Sequence, residues 1–348
     1  MVPSAYSRRT VLGGLGALAL GGLVGCGNGT GSTGAPDSGS GAREAVTYQL
    51  SWTHSVQFGG TYLARERGLF EDLGLDVTLA AGGPNVAGDA NTVSGAALMN
   101  VSVADGVARS TAEGADLVII GAQYQKSPVT ILSLADAPLT TPQDLVGRKI
   151  GVAGTDTPGL EAFLSINNLD RDQMEFVPSQ YDPAVLTAGQ VDGLYCFYND
   201  LPVALAVQGI EGHSMLLADH GYDPMSQTYT VLRSSLEDEA TRDRIVRLLR
   251  GDVRGWQLYR EDPQAAAELT VETYPDAGLD LPTQRKQAEV QLDLMFSEAT
   301  EEHGFGWFTD EQVQQNLELL GVLGIEGATE ALWDRSILDE VYQDGPTA

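Results

Sequence analysis

Cysteine, histidine and lysine are all scarce in this chain of 348 residues. The cysteines are Cys26 and Cys196, too far apart for a paired-cysteine metal site. His54, His213, His220 and His303 are scattered with no ligand spacing. There is no Walker loop, no Gly-x-Ser-x-Gly elbow and no His-Glu-x-x-His, so the common signatures of nucleotide hydrolysis, serine hydrolysis and zinc proteolysis are missing. No apolar run reaches the roughly 20 residues of a membrane span. Positive charge is also thin: 20 Lys and Arg stand against 48 Asp and Glu, for a net charge of -28. Lys126, Lys149 and Lys286 are the only lysines. Such an acidic chain is unsuited to nucleic acid or to an anionic membrane face.

What the N-terminus does have is a targeting pattern. Ser7-Arg8-Arg9-Thr10-Val11-Leu12 leads into a short Gly-rich apolar stretch and then Leu23-Val24-Gly25-Cys26. Paired arginines before a short apolar run are the twin-arginine export pattern. Leu-Val-Gly-Cys looks like a bacterial lipobox, with Cys26 as the lipidated residue. Residues 1–25 are therefore expected to be a signal, outside any fold argument. With Cys26 lipidated, Cys196 has no intrachain disulfide partner. Residues 26–44 are mostly Gly, Ser, Thr, Asn, Ala, Pro and Asp, too polar to offset their ordering entropy, and read as a tether. The expected location is the outer face of the cell membrane, held by a lipid anchor.

The remaining 300 or so residues are too many for one core, which favours two lobes. Short apolar runs alternate with amphipathic stretches. Strand 46–50, helix 59–67, Gly68 and strand 75–80 form a βαβ unit. Helix 87–93, strand 96–100 and helix 104–113 follow. The apolar runs 117–121 and 129–135 suit strands of a mostly parallel sheet covered on both faces. Thr141 and Pro142 open a second series of strands and helices ending near residue 217. Residues 227–233 read as a returning strand. The rest is helical, with Asp262 and Thr309 as N-caps. This gives lobe one over 45–137, lobe two over 138–226, and a return to lobe one over 227–348. The chain is expected to cross between lobes near 134–139 and 227–233. Two α/β lobes joined by two crossings make a hinged clamshell with a ligand cleft.

Several runs resemble a known family. They are Leu50-Ser51-Trp52-Thr53, Gly59-Gly60-Thr61-Tyr62-Leu63-Ala64, Gly68-Leu69-Phe70, Gly74-Leu75-Asp76-Val77 and Gly114-Ala115-Asp116-Leu117-Val118. Pro142-Gln143-Asp144-Leu145-Val146-Gly147-Arg148-Lys149-Ile150-Gly151-Val152 and Gly189-Gln190-Val191-Asp192-Gly193 extend the match. Together they resemble the solute-binding proteins of ABC importers, and more narrowly the branch that binds thiamine-pyrimidine precursors. Its relatives bind sulfonates, nitrate, taurine and riboflavin. Asn199-Asp200-Leu201-Pro202 is similar to that branch's Asn-Glu-Pro, with Asp for Glu and one extra residue before Pro. The resemblance spans about residues 46–300. It implies a type II periplasmic-binding-protein fold, a permease and an ATPase as partners, and neither catalysis nor a cofactor or metal.

Candidate ligand residues fall at strand ends and the loops beyond, where open α/β sheets bind ligands. Trp52 follows the first strand and offers a stacking face. Gln57 precedes the helix at Gly59-Gly60. Asn100 and Ser102 close the third strand, although Ser102 also reads as an N-cap. Tyr124 is a second aromatic candidate, and Lys126 is either a ligand cation or an ordinary surface lysine. Thr157, in the loop 154–159, is a ligand contact or a helix cap. Tyr198, Asn199 and Asp200 end the strand 193–197; Asp200 either accepts from a ring amine or caps the following helix.

Aromatic faces and one carboxylate, with few cations, suit a small planar heterocycle such as a thiamine-pyrimidine precursor. The alternatives on the same fold are a sulfonate, taurine or nitrate ligand, or riboflavin. A pyrimidine-synthesising relative would need a Cys/His-rich run, and Leu194-Tyr195-Cys196-Phe197-Tyr198 has one Cys and no His. A tethered sensory or adhesive protein is the remaining rival. The expected protein is a monomer that binds a small molecule and delivers it to the permease.

Overall fold

Strand β1 (Glu44–Gln49) lies at the centre of a parallel trio, because its neighbours β2 (Leu75–Ala80) and β3 (Met99–Val103) are each reached through a helical crossover. Those crossovers contain α1 (Gly59–Glu66), α2 (Leu69–Asp72) and α3 (Gly88–Val93). Next come α4 (Ala104–Ala112), β4 (Leu117–Ala122), β5 (Val129–Leu134) and β6 (Lys149–Val152). They are followed by α5 (Thr157–Ile166), β7 (Glu175–Pro178), α6 (Ala184–Thr187), β8 (Gly193–Phe197), α7 (Leu201–Val207) and β9 (Gly212–Leu216). After β10 (Ser226–Leu232) the chain is helical: α8 (Ser234–Glu237), α9 (Glu239–Glu261), α10 (Pro263–Thr273), α11 (Leu281–Met295), α12 (Glu298–His303), α13 (Asp310–Val322) and α14 (Ser336–Val341). The computed structural model describes residues 42–83, 85–153, 157–179 and 182–347. The expected signal, Cys26 and the tether up to residue 41 lie outside the described residues.

Two five-stranded sheets result, in the orders β2-β1-β3-β10-β4 and β7-β6-β8-β5-β9. Both are mixed rather than mostly parallel. β10 runs antiparallel to β3 and β4, and β5 runs antiparallel to β8 and β9. The placement of β5 also moves the first crossing. The chain passes from the first sheet to the second over residues 123–128, ahead of β5, and not near 134–139. An apolar strand covered on both faces looks the same in either sheet, so its composition does not reveal its neighbours. The chain returns over residues 221–225, ahead of β10, and not near the expected 227–233, which is already a strand of the first sheet. The two passages touch: the Ser127 N–H donates to the Asp223 carboxylate at 2.7 Å.

Local sequence explains most element ends. Gly68 takes φ 74, the left-handed conformation that closes α1. Thr141 and Asp144 form a capping box around Pro142. Asp262 and Thr309 cap α10 and α13 through their side chains. The helical stretch expected after residue 233 is interrupted at Asp238, which is extended and accepts from the Thr241 N–H at 2.8 Å.

The first core lies between the first sheet and the C-terminal helices, with Tyr48, Met99, Trp256, Leu294 and Ile337 all buried in it. α1 crosses α9 at very short range. A Cβ on Gly255 would sit 2.1 Å from the Gly60 carbonyl oxygen, and one on Gly60 would lie 2.2 Å from the Trp256 ring. Glycine is needed here for close approach, not for a turn. The second sheet is covered on both faces. Ile131, Ile150 and Tyr195 pack on one side, and Leu132, Leu194 and Cys196 on the other, as strand alternation requires.

Candidate ligand-binding cleft

A cavity of about 540 Å³ opens at the C-terminal ends of β1, β3 and β8. Residues beyond β1 and on α3 line one wall, and Phe197 and Asp200 from the end of β8 line the other. Ends of parallel strands are where α/β sheets leave room for ligands.

The first wall is set by backbone. The Leu50 N–H donates to the Ala80 carbonyl at 2.8 Å, and the Gly82 N–H to the Trp52 carbonyl at 2.8 Å. These bonds carry the β1–β2 pairing one step past the sheet. A Cβ on Gly82 would fall 2.3 Å from the Ser51 carbonyl carbon, so only glycine lets the strands run this close. The outcome is a Trp52 ring that lines the cavity with 38% of its surface exposed.

Gln227 braces the same wall. Its φ is 54, a left-handed value that a non-glycine residue rarely holds. It sits at an irregularity in the β10–β3 pairing, accepts from Ser51 Oγ at 2.8 Å, and accepts at its backbone from the Gln123 N–H at 3.0 Å. Asp89, on the first turn of α3, presents both carboxylate oxygens in fixed positions. Asn100 Nδ2 donates to one at 2.8 Å, and Ser110 Oγ to the other at 3.1 Å. Asn100 in turn accepts from Thr92 Oγ1 at 2.8 Å.

The second wall holds Asp200. Its side chain makes no cap bond to α7, and instead accepts from Gln287 Nε2 at 3.1 Å. Burial pushes the Asp200 carboxyl up from its ordinary range, and the Gln287 amide works against that shift.

Of the residues singled out in the sequence, Trp52, Gln57, Asn100, Ser102 and Asp200 line this cavity. Tyr124, Thr157, Tyr198 and Asn199 are not among its lining residues. Tyr124 is buried, and its hydroxyl accepts from Asn199 Nδ2 at 3.0 Å. Burial pushes its phenol well up. Tyr198 packs against the first core. Thr157 begins α5, and residues 154–156 of its loop lie outside the described residues. Lys126 pairs with Asp219. Asp89, Phe197 and Gln227 were not anticipated as cleft residues. Phe197 carried a signal, being the last residue of an expected strand. Asp89 and Gln227 carried none, since their placement depends on pairing across the sheet.

Among the described residues, no Lys, Arg or His lines the cavity, whereas two carboxylates, several amides and hydroxyls and two aromatic rings do. Such a lining offers stacking faces and hydrogen-bond acceptors.

The family model described as NMT1/THI5 like matches residues 55–266, more than half of the chain. The chain belongs to the NMT1/THI5-like family. Among curated proteins, this member is 25% identical over 293 residues to the riboflavin-binding protein RibY of Chloroflexus aurantiacus, covering 79% of each chain. It is 22% identical over 249 residues to a formylaminopyrimidine-binding protein of Halalkalibacterium halodurans, covering 69% of this chain and 74% of that one. Among solved structures, it resembles the periplasmic aliphatic sulphonate binding protein SsuA of Escherichia coli at 16% identity and a TM-score of 0.62, covering 81% of this chain and 87% of the other. The desulfurization enzyme DszB, in complex with biphenyl-2-sulfinic acid, aligns at 16% identity and a TM-score of 0.59, covering 86% and 99%. The fold is that of the periplasmic binding proteins.

Proposed function

We propose that this NMT1/THI5-like protein is the substrate-binding component of an ABC importer, and that its cleft takes a small, planar, amine-bearing heterocycle such as a thiamine-pyrimidine precursor. The observation that carries the ligand class is the cavity lining. Trp52 and Phe197 both line it, Asp200 supplies an acceptor, and no cationic side chain among the described residues lines the space. A sulfonate or nitrate ligand calls for arginine or several convergent N–H donors. A planar amine calls for what is here: apolar faces and a carboxylate.

The importer role is supported by the family and by two curated relatives named as binding proteins. A flavin-type ring is the second reading, favoured by the riboflavin-binding relative and by a cavity within the range of small-molecule sites. Binding without catalysis is part of the proposal. One fold can host both, as the DszB likeness illustrates. Cys196 is buried in the second core, and the serines of the cleft have no histidine beside them in the lining. No helix among the described residues is long and apolar enough to cross a membrane. Attachment through a lipid on Cys26 is proposed from the sequence pattern alone, with a permease and an ATPase as partners and a monomeric receptor outside the membrane.

Native mass spectrometry of the purified protein tests the ligand class. A co-purifying heterocycle of aminopyrimidine or flavin mass is expected. A co-purifying sulfonate would contradict it.

A further inference from the structure

We infer that Asp89 is a second ligand-recognition carboxylate, reaching the cavity from a different sheet than Asp200, and that the ligand carries hydrogen-bond donors on two separate edges. This rests on the cleft reading above and narrows its substrate class.

The two acids reach the cavity from different sheets. Asp89 belongs to the crossover between β2 and β3, and Asp200 follows β8. Both line the same space. Asp89 is held at each oxygen by one donor, Asn100 Nδ2 and Ser110 Oγ. An ionised carboxylate has about four acceptor positions, so each oxygen keeps capacity to spare. Asp200 likewise shows one protein donor, Gln287. Asp105 on α4 adds negative charge near Asp89 and is itself paired with Arg109 at 3.9 Å. When the walls close on a ligand, two carboxylates lose water together. Buried carboxylates without counter-charge are strongly unfavourable, and the described residues of the cavity wall include no cation to meet them. The ligand must supply donors at both ends. An oxyanion would meet like charge from both walls, so the same pair also rejects the sulfonate class.

Asn100 takes a different part from the one expected of it. One of its amide hydrogens is committed to Asp89 and its oxygen to Thr92. It is a positioning residue that fixes the Asp89 carboxylate.

The test is calorimetric titration of wild type, Asp89→Asn and Asp200→Asn against formylaminopyrimidine, riboflavin, and a pyrimidine pair with amino groups on one edge or on two. Asp89→Asn is expected to weaken the best-bound heterocycle ten-fold or more. Wild type should prefer the two-edged pyrimidine, and Asp89→Asn should lose that preference. The ligand-free thermal midpoint should stay within a degree or two. If Asp89→Asn proves unstable, Ser110→Ala is the second variant. It removes one holder of the carboxylate and should weaken the two-edged pyrimidine two- to five-fold while sparing the one-edged one. Wild-type affinity in Asp89→Asn alongside a loss in Asp200→Asn would overturn the role of Asp89 and leave the heterocycle reading standing. An equal loss for one-edged and two-edged pyrimidines would also overturn it. Silence of wild type toward every heterocycle would overturn both.

Discussion

Gln287 donates its side-chain amide to Asp200 across 3.1 Å, joining α11 of the C-terminal helices to the acid at the end of β8. The same face of α11 carries Gln284 and Gln291, at the i, i+3, i+7 spacing of one helical stripe. Gln284 accepts from the Val56 N–H at 2.7 Å, Gln291 donates to the Val56 carbonyl at 3.1 Å, and Gln284 donates to Gln287 at 2.7 Å. Val56 precedes Gln57, a cleft residue of the first wall. One stripe of buried amides thus grips both walls of the cavity. Satisfied buried amides hold geometry tightly, because any shift leaves a polar group unpaired.

Replacing Gln287 by Leu should change how binding depends on pH. Burial raises the Asp200 carboxyl, and Gln287 lowers it by favouring the ionised form. An amine-bearing ligand binds the ionised acid, so affinity falls as pH drops through the Asp200 value. Without Gln287 that value rises further, and the loss of affinity begins at higher pH. Titrations from pH 4 to 8 would show the shifted midpoint. An unchanged profile would mean that Gln287 is only packing.

Gly255→Ala should destabilise the protein strongly. Its Cβ would meet the Gly60 backbone at 2.1 Å, and backbone yields far less readily than a side-chain tip. Overpacking costs about 1–3 kcal/mol and sometimes more, and this contact belongs at the upper end. Thermal denaturation should show a clear drop in midpoint, or the variant should fail to accumulate folded.

Asp252 makes stability depend on pH in an unusual direction. It is fully buried, accepts from Tyr229 at 2.5 Å and Trp256 at 3.2 Å, and burial pushes its carboxyl up to about 6. An unfolded aspartate titrates near 4. Between those values the native state holds a proton that the unfolded state has released, so this group's contribution falls as pH rises from about 4 to about 6. Relative to Asp252→Asn, wild type should gain stability on acidification through that window, by an amount of order 3 kcal/mol. Chemical denaturation of both proteins at pH 4, 5, 6 and 7 isolates the term, because other carboxylates cancel in the difference. A constant difference would show that Asp252 does not titrate there.

The anchoring proposal predicts that Cys26→Ala is released to the medium or stays as uncleaved precursor. The motivation is Leu23-Val24-Gly25-Cys26 after a short apolar run. Fractionation of the variant with membranes as mature protein, as for wild type, would refute a lipid on Cys26.

Local rules made much of the fold legible. Gly68, the Thr141 box, Asp262 and Thr309 end or begin helices for reasons within a few residues of each, and β2, β6 and β8 follow from short β-rich runs. Where β5 docks was not legible, because an apolar strand does not encode its partner. The site divides in the same way. Trp52 and Asp200 are visible as chemistry at strand ends. Asp89 and Gln227 reach the cleft only through cross-sheet pairing, a left-handed backbone and the bonds to Asn100, Ser110 and Ser51. Tyr124, an aromatic beside the crossing, is drawn inward by its bond to Asn199, and Phe197 provides the ring on that side of the cavity.

The central claim is the ligand class, and calorimetric titration against aminopyrimidines, flavins, taurine, alkanesulfonates and nitrate tests it most directly. Trp52 stacking contributes about 0.5–1.5 kcal/mol beyond area burial. Wild type should therefore bind an aminopyrimidine or flavin, and Trp52→Ala should bind it several-fold more weakly. Tight binding of a sulfonate or nitrate, with aminopyrimidines and flavins silent, would contradict the account.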